Sequence, residues 1–254
     1  MKRIGVLGGM SPQATMDLES RVHHVSQRIV PQDWNAGYPP MVVWFHRRRP
    51  IRLGPDGSPM VPLQVDPELV EAARWLGKGV DFLVIPCNAA HVGVAQIEEA
   101  AGCPVLSMVG VAIEETVRRG WRRVGVLGFR SAPAVYTGPL GDRGIACVEI
   151  DGTRQARLDA AIRAVMEGRN GEDETDVARS AVTALRAARV DGVVLGCTEI
   201  PLLLGEEAEA PDLVSPLSLL AESAVRFAVG DGASLGGHVT RTGATRGVSA
   251  AGGR

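Results

Sequence analysis

Two stretches of this chain occur twice, and this repeat constrains the fold more than any other feature. The run RIGVLGG at 3–9 recurs as RVGVLGF at 123–129, and VDFLVIPCN at 80–88 recurs as VDGVVLGCT at 190–198. Each half therefore opens with an apolar run that ends in glycine, and later presents a cysteine followed by a small polar residue. Because a repeat of this kind indicates duplicated structural units, we expect two similar lobes.

Short β-branched runs alternate with longer helical patterns, which is typical of an α/β fold. Continuous apolar runs that predict buried parallel strands lie at 3–7, 41–45, 82–85, 124–127 and 192–195. Helix starts are predicted where a capping residue precedes proline, at Ser11-Pro12, Asp66-Pro67 and Ser215-Pro216. The expected fold class is α/β, with two similar lobes that each hold a mainly parallel sheet flanked by helices.

The composition excludes several classes of partner. A formal net charge of −2 leaves no basic surplus for a phosphate backbone or an anionic membrane. The glycine-rich start is too short for a signal-peptide core, and no apolar run approaches the length of a membrane span. We expect a cytoplasmic protein without nucleic-acid or membrane partners. The segment 230–254 is rich in Gly, Ala, Ser and Thr, and predicts a disordered tail.

The four cysteines form neither CxxC nor Cys/His metal spacing, so no metal site is expected. Cys87 and Cys197 each follow an apolar strand, at the end where open α/β sheets bind ligands. A single cysteine there is equally well explained as a buried core residue, but packing does not explain why both halves have one. Cys103 and Cys147 lack such a counterpart and are assigned to packing.

A pair of facing thiols suits one kind of reaction. Inverting a carbon that bears a weakly acidic hydrogen needs a base on one face and an acid on the other, and a thiolate and a thiol can exchange these roles. We therefore expect Cys87 and Cys197 to face each other across one cleft as acid and base. The spacing around Gly8-Gly9 is not the GxGxxG of dinucleotide sites, so a nicotinamide cofactor is excluded.

Three motifs together resemble the aspartate/glutamate racemase superfamily, and most of all its aspartate racemase branch. They are GGMSPQAT at 8–15, PCNAAH at 86–91 and GCTE at 196–199, and the likeness extends from about residue 3 to 229. The resemblance implies an active site between two α/β lobes and no pyridoxal phosphate, metal or other cofactor. It also implies that the last helix packs on the first lobe. We expect a first lobe of 1–108 plus 215–229 and a second lobe of 109–214.

The resemblance assigns roles to the residues of these motifs. Cys87 and Cys197 match the two proton-transferring cysteines of the family. Asn88 and Thr198 match positions that hold the α-carboxylate of the substrate. Backbone donors at helix N-termini would suit an anion that gains negative charge as the α-proton leaves.

The same comparison of motifs places residues around the cysteines. Met10, Ser11 and Gln13 lie in the matching N-terminal loop and are candidate substrate-binding residues. Ser11 is equally well explained as a helix cap. His91 and Glu199 are expected to support the two thiols through hydrogen bonds, although His91 is equally well explained as a partly buried helix residue.

Three departures from the family pattern affect the substrate. Ala89, in the predicted pocket, replaces a threonine. Arg48, in the altered loop 46–50, is expected to bind the side chain of the substrate, although a short charge run is also typical of a solvated loop. The second-lobe lysine of aspartate racemases is absent, so its contact with the side-chain carboxylate is either missing or made by an arginine such as Arg130 or Arg169.

The function that these features favour is racemisation or epimerisation of an α-amino acid, with aspartate or glutamate preferred. The partner would be a small-molecule amino acid, and the resemblance also implies a possible homodimer. One alternative is a related enzyme of small diacids, either a cis–trans isomerase or a decarboxylase, although decarboxylases keep a single cysteine. The other is an amino-acid-binding protein without turnover.

Overall fold

The computed structural model describes residues 1–56 and 58–230, which contain two parallel four-stranded sheets. The first sheet consists of β1 (Ile4–Gly8), β2 (Met41–Phe45), β3 (Phe82–Val84) and β4 (Val105–Leu106), in the order β2-β1-β3-β4. The second consists of β5 (Arg123–Leu127), β6 (Ala146–Val148), β7 (Gly192–Leu195) and β8 (Leu213–Val214), in the order β6-β5-β7-β8. The predicted α/β fold with two similar parallel sheets is confirmed.

Helices connect and flank the strands. They are α1 (Pro12–Ile29), α2 (Pro67–Leu76), α3 (Val94–Ala101), α4 (Met108–Arg118), α5 (Pro133–Gly141), α6 (Gly152–Met166), α7 (Glu172–Ala187), α8 (Ile200–Leu204) and α9 (Pro216–Val229). Short 3₁₀ helices cover Ala89–Gly93 and Gly205–Glu209. Across the described part of the chain, none of the helices has the length and apolar character to cross a membrane.

The predicted helix starts are confirmed by their caps. The side chains of Ser11, Asp66 and Ser215 accept hydrogen bonds from backbone N–H groups in the first turns of α1, α2 and α9. In each case proline occupies the first helical position, where its missing donor costs nothing. From position 231 onward, the predicted tail 230–254 lies outside the residues that the structure describes.

The two sheets repeat the same topology. In the first, β1 pairs with both β2 and β3, and in the second, β5 pairs with both β6 and β7. Because β3 and β7 occupy equivalent places, the segments that follow them leave their sheets at equivalent edges. Cys87 and Cys197 lie in these two segments.

Helix α9 returns to the first sheet, where it packs against α1 and α4. Helix α4 takes part in two cores. Met108 and Val111 belong to the core of the first sheet, whereas Val109, Ala112 and Ile113 pack with residues of β5, α5 and β7. This helix therefore joins the two halves through apolar contacts on two of its faces.

Candidate active site

Cys87 and Cys197 are both partly buried, and Cys87 is close enough to Cys197 to raise the pKa of its thiol. Burial raises the pKa of Cys87 to about 12. The pKa of Cys197 is also well above its ordinary value, because of burial first and then the charge of Glu199, with a smaller contribution from Cys87. The two halves of the repeat therefore bring their cysteines into one site.

Glu199 is the acidic group of this site. The thiol of Cys197 donates a hydrogen bond to Glu199 Oε2 at 2.9 Å, and Thr198 Oγ1 donates to the same oxygen at 3.1 Å. The other oxygen, Oε1, is buried and has no hydrogen-bond partner in the structure. The carboxylate also raises the pKa of Cys87, so it lies near both thiols.

The surroundings of Cys87 differ from those of Cys197. The backbone N–H groups of Ala90 and Ala89, in the first turn of the 3₁₀ helix, lower the pKa of Cys87 against the larger effect of burial. Ala89 itself is partly buried. Cys87 thus has two backbone donors beside it, whereas Cys197 has one, the N–H of Glu199, and also donates to the Glu199 carboxylate.

Asn88 is fixed by a residue from the other half of the chain. Tyr136, on α5, donates its hydroxyl to Asn88 Oδ1 at 2.5 Å. The Nδ2 group of Asn88 is buried and has no hydrogen-bond partner. Tyr136 was not among the sequence-predicted site residues, although its place after the repeated strand β5 and the need of a buried tyrosine for a hydroxyl partner are signals that could have found it.

The hydrogen bonds of His91 differ from the expected contact with the thiol of Cys87. Its Nδ1 donates to the carbonyl oxygen of Cys87 at 2.9 Å, and its Nε2 accepts from the backbone N–H of Met108 at 3.0 Å. Both ring nitrogens are thereby occupied, so the expected hydrogen bond from His91 to the thiol of Cys87 is not formed. Burial lowers the pKa of His91 to about 4, and the ring is neutral at ordinary pH.

The N-terminal loop lies against the end of β2. Gly9 has a φ of 83°, and a Cβ atom there would lie 2.4 Å from the Cα of Phe45. Met10 and Ser11 are buried and Gln13 is partly buried. The hydroxyl of Ser11 accepts from the N–H of Ala14 at 3.3 Å, as a helix cap does.

The arginines expected to bind the substrate's side chain lie in surface ion pairs. Arg48 donates to Glu68 at 2.5 Å, Arg130 lies 3.9 Å from Asp159, and Arg169 pairs with Glu167. The side chains of these three arginines are 61%, 72% and 65% exposed. The expected recognition of a second carboxylate by Arg48, Arg130 or Arg169 therefore has no support in this geometry.

Two further features bear on what the site can hold. Within residues 1–56 and 58–230, no group of three or more His, Cys, Asp and Glu side chains could hold a metal ion.

A cavity of about 370 Å³ lies in the first half of the chain, next to α2 and the 3₁₀ helix Ala89–Gly93, with Val70, Val92 and Gln96 in its wall. Neither cysteine lines this cavity, so it is separate from the thiol site.

The candidate site therefore consists of Cys87, Cys197 and Glu199, in the segments that follow equivalent strands of two similar parallel sheets. The family model described as Asp/Glu/Hydantoin racemase matches residues 7–224. The chain belongs to this family. It is an isomerase of the amino-acid racemase class, which is independent of pyridoxal phosphate.

Individual relatives agree with this assignment. The chain is 26% identical over 229 residues to the broad specificity amino-acid racemase RacX of Bacillus subtilis, covering 87% of this chain and 96% of the relative. It is 30% identical over 182 residues to glutamate racemase of Mycobacterium tuberculosis, covering 68% of this chain and 65% of that one.

Solved structures share the fold. An aspartate racemase homologue from Pyrococcus horikoshii aligns with a TM-score of 0.71 at 21% identity, over 90% of this chain and all of that one. A putative Asp/Glu racemase from Yersinia pestis aligns with a TM-score of 0.70, also at 21% identity and with the same coverage. At this identity the likeness concerns the fold alone.

Proposed function

We propose that this protein racemises an α-amino acid by moving protons between the α-carbon and two cysteines, Cys87 and Cys197, without a cofactor. One observation carries the proposal. Cysteines from equivalent positions of the two sheets are close enough that the charge of one raises the pKa of the other, and the carboxylate of Glu199 acts on both. A thiol pair of this kind provides a base and an acid on two sides of one carbon.

The reaction requires one thiol to be charged and the other neutral, and we assign the charge to Cys87. Cys197 donates to Glu199 and therefore keeps its proton. Burial raises the pKa of Cys87 to about 12, but the N–H groups of Ala89 and Ala90 oppose this effect and would stabilise the thiolate once it forms. In the first turnover, Cys87 takes the α-proton from one face of the carbon and Cys197 gives its proton to the other. The pair again carries one proton, which is now the former α-proton on Cys87, and Cys197 is left as the thiolate. This form takes the α-proton from the other enantiomer in the reverse direction.

Donors near the thiols are available for the α-carboxylate. The unpaired Nδ2 of Asn88 is a buried donor next to Cys87. The hydroxyl proton of Thr198 is directed to Glu199, which leaves the backbone N–H of Thr198 as the expected second donor. Negative charge spreads onto the carboxylate as the α-proton leaves, so these donors bind the transition state more strongly than the substrate. The free Oε1 of Glu199 is the matching acceptor for the α-ammonium group.

We further propose that the preferred substrates have neutral side chains. The expectation of aspartate or glutamate depended on arginines that would bind a second carboxylate, but Arg48, Arg130 and Arg169 are exposed and ion-paired. Burying a second carboxylate without a cationic partner is costly. The name of RacX, a broad specificity amino-acid racemase, agrees with a substrate range beyond the acidic amino acids.

The test is a substrate screen in D₂O without added cofactor. The L and D forms of neutral and acidic amino acids are incubated with the protein, and loss of the α-proton signal is followed by NMR together with optical rotation. We expect α-deuteration and inversion, with the highest kcat/KM for neutral side chains. No exchange with any amino acid would refute racemisation, and loss of a carbon would indicate a decarboxylase. The highest kcat/KM for aspartate or glutamate would refute only the preference for neutral substrates.

A further inference from the structure

We infer that Tyr136 is a positioning residue, which turns the amide of Asn88 so that its NH₂ group faces the α-carboxylate of the substrate. This inference rests on the proposed function and extends it to a residue outside the sequence motifs. Tyr136 is held away from the reacting carbon and acts through Asn88.

The position of the tyrosine ring is fixed by the second lobe. Tyr136 is completely buried and packs in one core with Val126, Leu140 and Val194. Its ring also lies next to Gly196, where an added Cβ atom would lie 3.4 Å from Cε2 of Tyr136. The ring is thus placed beside the segment that leads to Cys197, and its hydroxyl points toward the first lobe.

The hydroxyl determines which end of the amide is free. Burial raises the pKa of Tyr136, so the hydroxyl keeps its proton and donates it to Asn88 Oδ1 at 2.5 Å. An asparagine amide has one acceptor oxygen and one donor nitrogen. With Oδ1 bound to Tyr136, the donor Nδ2 faces the other way, and it is the buried atom without a partner.

A buried donor without a partner is costly, and a ligand that supplies an acceptor removes this cost. The α-carboxylate of an amino acid is such an acceptor. A reversed amide would instead present its oxygen to the carboxylate, and the two would repel each other. The Tyr136 hydroxyl therefore determines whether Asn88 attracts or repels the substrate.

The hydrogen bond also joins the two lobes at the site. Asn88 follows β3 of the first sheet, whereas Tyr136 follows β5 of the second. The amide is held in the binding orientation only while the lobes are in contact.

The first test is Tyr136→Phe, which removes the hydroxyl and keeps the ring. We expect kcat/KM to fall about tenfold or more, mainly through KM, as follows from losing an oriented hydrogen bond to a charged group. The preference for binding an amino acid over its α-carboxamide should also shrink. Tyr38→Phe is the matched control, because the Tyr38 hydroxyl accepts a surface hydrogen bond from Gln27 and its loss should leave both quantities unchanged. Circular dichroism and thermal melting check that the variants are folded.

The second test asks whether Tyr136 acts through Asn88. In an Asn88→Ala background, Tyr136→Phe should change kcat/KM by no more than about twofold, because the two residues form one unit. Asn88→Asp leaves Tyr136 intact but places a charged oxygen toward the substrate, so it should weaken binding more than Asn88→Ala. This variant keeps the inference testable if Tyr136→Phe does not fold.

Several outcomes would overturn the inference. One is a Tyr136→Phe protein with wild-type kcat/KM. Another is a double variant in which the losses of kcat/KM caused by Tyr136→Phe and by Asn88→Ala multiply. Equilibrium binding of the amino acid, measured by calorimetry, tests the inference without turnover. A wild-type protein that binds amino acids but exchanges no α-proton would refute the proposed function, whereas the affinity loss in Tyr136→Phe would still decide the role of Tyr136.

Discussion

The chemistry of the two thiols follows from the atoms that each one faces. The thiol of Cys197 donates to the buried carboxylate of Glu199. The thiol of Cys87 accepts hydrogen bonds from the backbone N–H groups of Ala89 and Ala90. Both thiols are also buried, which disfavours the charged form, and this raises the pKa of each. In the proposed mechanism Cys197 starts with the proton, because the carboxylate of Glu199 accepts its hydrogen bond.

Replacing Glu199 tests this arrangement. Glu199→Gln removes the negative charge that raises the pKa of both thiols, so the pKa of each should fall and more thiolate should be present at a given pH. We expect iodoacetamide at pH 8 to modify Cys197 about tenfold faster in the variant, which corresponds to a change of about one pKa unit. Peptide mass spectrometry measures the rate at each cysteine.

The experiment carries two controls. Cys103 and Cys147 are internal references that should react at the same rate in both proteins. Glu206→Gln changes an exposed carboxylate of the second 3₁₀ helix and should leave the rate at Cys197 unchanged. An unchanged or slower reaction of Cys197 in Glu199→Gln would contradict the assigned role of the carboxylate.

At the scale of elements, the 3₁₀ helix Ala89–Gly93 and the start of α4 are held together by one side chain. His91 donates to the carbonyl of Cys87 and accepts from the N–H of Met108. The backbone on both sides of the histidine is thereby fixed, including the segment that carries Cys87 and Asn88. His91 therefore supports the site through the backbone rather than through the thiol.

The imidazole also makes stability depend on pH. Its pKa is about 4 in the folded protein, below the ordinary value of 6.5, so acidification protonates the unfolded chain first. The contribution of His91 is complete above pH 6.5 and is lost as the pH falls toward 4. We expect the free energy of unfolding of the wild-type protein to decrease between pH 7 and 5, measured with urea.

The variant His91→Ala separates this effect from other titrations. It should lower the free energy of unfolding at pH 7 by about 1 to 3 kcal/mol, because the carbonyl of Cys87 and the N–H of Met108 lose their partner. It should also flatten the decrease between pH 7 and 5. His24→Ala, which removes an exposed histidine of α1, is the control. An equally steep pH dependence in His91→Ala would show that another group is responsible.

At the scale of the whole molecule, the two lobes share contacts that should make them unfold together. Helix α4 contributes to both cores, and Tyr136 and Asn88 bond across the lobes. Leu220 lies in the core of the first sheet, Leu158 lies in a further core that α6, α7 and α8 form on the second sheet, and both side chains are fully buried. Each replacement by alanine should cost about 2 to 5 kcal/mol and shift the same single transition.

Urea unfolding tests whether the two lobes unfold in a single transition. It is followed by tryptophan fluorescence and by far-ultraviolet circular dichroism. The two signals should coincide in the wild-type protein and in both variants. Leu202→Ala, at a partly buried position of α8, is a control that should shift the transition less. A Leu158→Ala protein in which one signal changes before the other would mean that the lobes unfold independently.

The repeat in the sequence predicted the paired sheets and the strands that lead to Cys87 and Cys197, because long apolar runs and repeated motifs are local signals. Strands β4 and β8 were not predicted, since two residues carry no recognisable pattern. Contacts between distant segments were also beyond the sequence. Tyr136, the hydrogen-bond partner of Asn88, is 48 positions from it along the chain, and Glu68, which forms an ion pair with Arg48, is 20 positions from that arginine. Burial and pairing of this kind depend on the packed fold.

The most direct test of two-cysteine racemisation measures where deuterium appears in the first turnovers in D₂O. From either enantiomer, the inverted product should carry deuterium at the α-carbon, while the remaining substrate keeps protium. Cys87→Ala and Cys197→Ala should each abolish racemisation, and Cys103→Ala should keep the wild-type rate. A Cys87→Ala or Cys197→Ala protein that still inverts the substrate at the wild-type rate would contradict the account.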